Sequence, residues 1–121
     1  MDFLDFLSND GNDFKGRTLK LIWSFSDENI EGTHDFIQIV FPLNKPSDHA
    51  FHGYYLDSED LIQQIRDNLI ARNNILKSSK WYFSFLKRNI WLWNRNYDHN
   101  HLRITRVIEC LRLLVSEEES N

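Results

Sequence analysis

An all-α, compact single-domain bundle of about five to six helices is the fold this sequence predicts, on three observations. Apolar residues recur at helical spacing in segment after segment. No stretch alternates with the period of two that marks a half-buried strand. Clusters of Gly, Pro, Asn, Asp and Ser cut the chain into helix-sized pieces. With 121 residues the chain is long enough to bury one core without a disulfide or metal staple. Its 9 Phe, 4 Tyr and 4 Trp supply an unusual share of that core.

Each element follows in order. Phe3, Leu4, Phe6 and Leu7 give a short first amphipathic helix that ends at the turn signal Asn9-Asp10-Gly11. A second short helix is expected over Leu19 to Phe25. Asp27 is the expected N-cap of a third, with Glu28 and Glu31 near its positive end. That helix is expected to continue until Pro42 and Pro46 end it and open a polar loop. Asp57 or Ser58 restarts helix, with Leu61, Ile62 and Ile65 at helical spacing. A longer helix from about Asn68 to Lys87 carries Leu69, Ile70, Leu76, Phe83 and Leu86, widened by Trp81, Tyr82 and Phe85. Residues 88–98 read as a loop, and a last helix covers roughly 99–115. Residues 1–115 are therefore expected to form the domain, and 116–121 an acidic flexible tail.

Charge is divided along the chain. Residues 1–61 hold 4 Lys/Arg and 12 Asp/Glu, whereas residues 62–112 hold 10 Lys/Arg and 3 Asp/Glu. Glu117-Glu118-Glu119 closes the balance at a net -4. Such a division either gives a basic face for an anionic partner or cancels when the two halves fold together. The single cysteine, Cys110, allows no internal disulfide and fits a reducing compartment. The start Met1-Asp2-Phe3-Leu4-Asp5 is acidic where a signal peptide is basic, and no apolar run approaches the roughly 20 residues that span a bilayer. A cytoplasmic protein without a transmembrane segment is the expectation.

Two segments mix polar groups into apolar helical stripes. In the first, His34 to Leu43, the positions Ile30, His34, Ile37 and Phe41 share one narrow helical face. This places His34 in the middle of a core-facing stripe, with Gln38 one turn onward. Either is a satisfied core group, a pocket-lining group or, for His34, a metal ligand. In the second, His99-Asn100-His101-Leu102-Arg103-Ile104-Thr105-Arg106, the helix continues with Val107, Ile108, Leu111, Leu114 and Val115 as its main apolar face. Leu102 and Leu113 lie nearly opposite, so burial on more than one side is expected. Arg103, Arg106 and Cys110 occupy the flank. An arginine there needs an acid (Asp35, Glu31 or Asp27) or backbone carbonyls, since an unpaired buried charge is very costly. The other reading is a cleft in which Arg103 and Arg106 bind an anion. The third and last helices are expected to pack together and join His34 and Gln38 to the two arginines.

These two segments resemble the conserved domain of the opioid growth factor receptor family. The block 34–42 is similar to the family's first motif, with Phe36 and Ile39 in place of Tyr and Trp, and residues 99–107 match its second block closely. Gly11 to Leu21 and Asp27 to Ile30 also resemble the opening of bacterial members. A Phe-Tyr-Gly helix end of the family stands here as Phe85-Leu86-Lys87. The likeness covers nearly the whole chain, as a short stand-alone member. It implies an all-α binding or regulatory module with His34, Gln38, His99, Asn100, Arg103 and Arg106 as candidate binding residues, no cofactor and no metal. Vertebrate members are receptors for an enkephalin-type peptide, and receptor activity toward a peptide is what the resemblance implies at most.

Other chemistry is thinly supported. His49-x-x-His52 and Asp98-His99-Asn100-His101 have metal-compatible spacing but no cysteine pair or HExxH beside them. Asp98 or Asn100 serves equally as a helix cap. Cys110 has no catalytic pattern around it, and neither a phosphate loop nor a carboxylate pair is present, so no enzyme is expected. The alternative function is a small nucleic-acid-binding protein. Lys87, Arg88, Trp91, Trp93 and Arg95 interleave cations and aromatic rings as stacking surfaces do. The same Trp91 and Trp93 could instead plug into the core.

Overall fold

The computed structural model describes residues 1–45, 54–89 and 97–115, with the backbone alone at 97–101. Among the described residues there are seven helices: α1 (Phe3–Leu7), α2 (Leu19–Trp23), α3 (Asp27–Gly32), α4 (Ile37–Val40), α5 (Glu59–Asp67), α6 (Leu69–Arg88) and α7 (Tyr97–Leu114). The fold is all-α, and the one departure from helix and loop among the described residues is an isolated bridge between Asn12 and Thr18. No described helix is long and apolar enough to cross a membrane.

Side-chain caps set most of the boundaries. Thr18, Ser26, Ser58 and Asn68 each accept a hydrogen bond from a backbone N–H three residues on, satisfying a donor that the first helical turn cannot. Ser26, and not Asp27, is the cap of α3, so Asp27 and Glu28 fall in its first turn. Asn68 closes α5 and caps α6 at once, which turns a near-continuous run of helix into two elements. After α1 the chain reverses at Asn9, whose φ of 66° lies in the left-handed region that asparagine tolerates.

The expected third helix is two. It stops at Gly32, and Thr33 is extended (φ -96°, ψ 124°) before α4 begins at Ile37. Gly32 and the β-branched Thr33 weaken helix locally. The larger cause is tertiary: an unbroken helix would pair the Ile30 carbonyl with the His34 N–H, but Arg103 takes that carbonyl instead. With the stripe interrupted, His34 is exposed rather than central to the core.

α6 is the spine, packing on α1, α5 and α7, while α5 also touches α1 and α7. Its buried face is Ala71, Ile75, Ser78, Ser79, Tyr82, Phe85 and Leu86. The expected stripe was rotated from this, and Leu69, Ile70 and Phe83 stand exposed at 67%, 61% and 38%. The small Ser78 and Ser79 occupy inward positions that a search for large apolar residues passes over. On α7 the buried line is Arg103, Val107, Cys110, Leu111 and Leu114, with Ile104, Ile108 and Leu113 half-buried and Leu102 exposed. Of the two residues expected to bury the opposite side of α7, Leu113 packs against the core and Leu102 does not. The helix also begins at Tyr97, two residues before the expected start.

Candidate functional site

A buried aspartate organises the first half of the site. Asp13 Oδ1 accepts the backbone N–H groups of Lys15 and Arg17, each at 2.9 Å, and Oδ2 accepts Arg17 Nε at 2.7 Å. Gly16, at φ 78°, lets the loop turn tightly enough to bring Arg17 back. Arg17 then reaches Asp35, donating to its Oδ1 at 2.8 Å and its carbonyl at 3.3 Å. Lys15 completes the group as an ion pair with the other oxygen of Asp35. Burial works against the Asp35 carboxylate, yet the hydrogen bonds from Lys15 and Arg17 outweigh it and hold its pKa below the usual carboxylate range.

Aromatic rings extend this network outward. The Arg17 guanidinium lies 5.7 Å from the Phe14 ring centroid, and Phe14 stacks on Tyr54 at 4.8 Å and 23°. Tyr54 in turn borders an open cleft of about 300 Å³ whose walls include Asp2, Phe3, Tyr55, Asp57 and Leu61. Asp2 gives one oxygen to the α1 cap, and no Lys or Arg among the described residues pairs with Asp57. No local motif in the sequence marks this cleft, because its walls come from two separated segments, residues 1–3 and 54–61.

The two motif segments do meet, through backbone. Arg103 on α7 donates from Nη1 to the Ile30 carbonyl at 2.8 Å and from Nη2 to the Thr33 carbonyl at 2.9 Å. Arg106, one turn on, donates from Nε to the Phe41 carbonyl at 2.9 Å and from Nη2 to the Gln38 carbonyl at 3.4 Å. Each guanidinium thus gathers the orphan carbonyls at the C-terminal end of one short helix, α3 or α4, where positive charge is also electrostatically favoured. The Arg103 guanidinium sits 5.3 Å from the Phe36 ring centroid, a cation–π contact.

No carboxylate among the described residues lies within ion-pair distance of Arg103 or Arg106. Of the three acids expected as partners, Asp35 is engaged as above and Asp27 with Arg88 and Asn89, while Glu31 keeps a buried Oε2 with no hydrogen-bond partner among the described residues. Those bonds from Arg88 and Asn89 pull the Asp27 pKa down. Burial lowers the Arg106 pKa, with Cys110 and Glu109 acting in the opposite sense. The same burial pushes the Cys110 thiol up to about 12 and the Tyr82 phenol up to about 12, the latter partly opposed by Arg103.

Of the residues singled out by sequence, Gln38, Arg103 and Arg106 come together. Gln38 is buried, its Nε2 making a long bond of 3.4 Å to the His34 carbonyl. His34 is exposed, and the side chains of His99 and Asn100 lie outside the described residues. So do His49, His52, Pro46, Trp91, Trp93, Arg95 and the tail 116–121. Of the basic-aromatic stretch, Lys87 is exposed and Arg88 is held by Asp27 at 2.7 Å. No group of three or more His, Cys, Asp or Glu among the described residues is placed to hold a metal.

No protein-family model matches this chain, nor does any curated protein or solved structure.

Proposed function

We propose that this chain is a non-enzymatic binding module of the opioid growth factor receptor-like kind, whose ligand is a short peptide presenting a free cationic amine. The cleft beside α1 carries the reading. Asp57 offers a carboxylate that no Lys or Arg among the described residues pairs with, in a cleft also lined by Tyr54, Tyr55 and the apolar Phe3 and Leu61. Carboxylate and ring faces together suit an ammonium, since a cation over an aromatic face gains roughly 0.5–2 kcal/mol. At about 300 Å³ the cleft has the volume of a peptide terminus rather than of a large ligand. The motif arginines have a structural part in this reading, because backbone carbonyls already take their donors. A cytoplasmic location goes with it, on the lone cysteine.

The test is calorimetric titration with an enkephalin-type pentapeptide that begins with tyrosine, in free-amine and N-acetylated forms. The free amine should bind, and acetylation should weaken binding at least tenfold. Asp57→Asn, an exposed change that leaves the core intact, should do the same. Equal binding of the two peptides, or none at millimolar concentration, would overturn the reading.

A further inference from the structure

The long helix α6 contains Arg72, Lys77, Lys80, Lys87 and Arg88 but no acidic residue. Its buried face leaves Ile70, Asn73, Lys77, Lys80, Ser84 and Lys87 exposed on the other side, at alternating spacings of three and four. Two features mark this seam. Lys77, Lys80 and Lys87 line up on it with no carboxylate among the described residues within ion-pair distance, as is also true of Lys20, Arg66, Arg72 and Arg112 elsewhere. At the other end, Leu69 and Ile70 are 67% and 61% exposed, more than any other large apolar side chain among the described residues. Adjacent exposed aliphatic groups that the fold does not use mark contact surfaces.

Lys77 is also held in place. Its Nζ lies 4.7 Å from the Trp23 ring centroid, and Trp23 is fixed by an indole N–H bond of 2.8 Å to Ser78. A lysine ordered in this way loses less side-chain freedom on meeting a partner.

We propose that this exposed face of α6 docks an acidic amphipathic helix of a partner protein. The partner sets apolar residues over Leu69 and Ile70 and carboxylates over Lys77, Lys80 and Lys87. At 1.5 Å per residue, Lys77 to Lys87 spans about 15 Å, which a second helix covers in about three turns. Helices meet along seams of this three-four spacing. A nucleic acid fits less well on two counts. Phosphates have no use for Leu69 and Ile70, and the net charge of -4 repels a dense polyanion at long range. An acidic helix of modest charge is instead recognised at contact distance, within a Debye length of about 8 Å. The surface is independent of the amine cleft, so either reading can fail alone.

The experiment is backbone-amide NMR titration of the full chain with a small panel of designed helical peptides of about 18 residues. Each has Leu at one end and Glu at positions matched to the three lysines, in both orientations. Controls carry Gln in place of Glu, and a single-stranded RNA is run in parallel. At least one acidic peptide should shift resonances within residues 66–89 and bind at least tenfold more tightly than its Gln control. Lys77→Glu/Lys80→Glu, whose side chains are exposed, should abolish that binding while leaving the circular dichroism unchanged. Equal affinity for Glu and Gln peptides, or no shifts at millimolar peptide, would overturn the proposal. So would RNA binding on this face in the absence of peptide binding, or self-association of the chain that the double variant removes.

Discussion

Arg103 donates a hydrogen bond to the Ile30 carbonyl at 2.8 Å across 73 residues of sequence, at the point where the expected third helix breaks in two and where Gly32 and Thr33 already weaken helix. A helical carbonyl normally serves its own N–H four residues on. Here it serves a buried guanidinium from the far end of the chain. Arg106 repeats the device at the end of α4. The two motif segments are joined chiefly by side chain to backbone, with the Arg103–Phe36 cation–π contact beside it.

Acid should weaken the fold through Asp35 and Asp27. Both pKa values are depressed in the folded chain, Asp35 against its burial by Lys15 and Arg17, and Asp27 chiefly by Arg88 and Asn89. The unfolded chain therefore binds more protons just below about pH 4, where free carboxylates titrate. The stabilisation is complete above that value and is lost as pH falls through the folded pKa values. Urea midpoints between pH 6 and 2.5 should drop, and Asp35→Asn should flatten the drop. An identical slope in wild type and variant would contradict the assignment.

Alkali should act through the buried Cys110 and Tyr82. Their folded pKa values are raised to about 12, from 9.0 and 10.0 respectively, so it is the unfolded state that loses protons first. Stability from this source is full below about pH 9 and is lost as pH rises toward 12. Thiol-specific reagents at pH 8 should leave the native chain unlabelled and label the urea-unfolded chain at once. Rapid native labelling would place Cys110 at the surface.

The double use of Asn68 gives a third expectation. Its side chain accepts the Ala71 N–H at 2.9 Å, and its extended backbone ends α5. Asn68→Ala should cost about 1 kcal/mol, the usual value of a cap, whereas Asn68→Asp should be tolerated. Thermal melts of the two variants distinguish these outcomes, and an unchanged melting temperature for Asn68→Ala would count against the cap.

Helical class, the first and second helices, the Ser58 restart and the extent of α6 were legible from spacing and turn residues alone. Those features depend on a few neighbouring side chains. What was not legible depends on contacts far apart in sequence. The interruption at Gly32–Thr33 follows from Arg103, some seventy residues away, and it carries His34 out of the core. The buried face of α6 is rotated because Ser78 and Ser79 pack inward, Ser78 as the acceptor for Trp23. From sequence an acid and backbone carbonyls are equally open as partners for the two arginines; only the fold decides for carbonyls. The cleft by Tyr54 joins the N-terminus to residues 54–61, a pairing that no local pattern announces.

The most direct test of the central claim, that Arg103 and Arg106 hold the ends of α3 and α4 by forked contacts to backbone, is urea denaturation of Arg103→Lys, Arg106→Lys and the double variant. Lysine keeps the charge but lacks the planar fork that reaches two carbonyls at once. Each single change should cost about 1–3 kcal/mol, the penalty of one orphaned buried carbonyl. Hydrogen exchange should quicken at residues 27–41 in both. Variants within about 0.5 kcal/mol of wild type, the range of ordinary surface substitutions, would contradict the account.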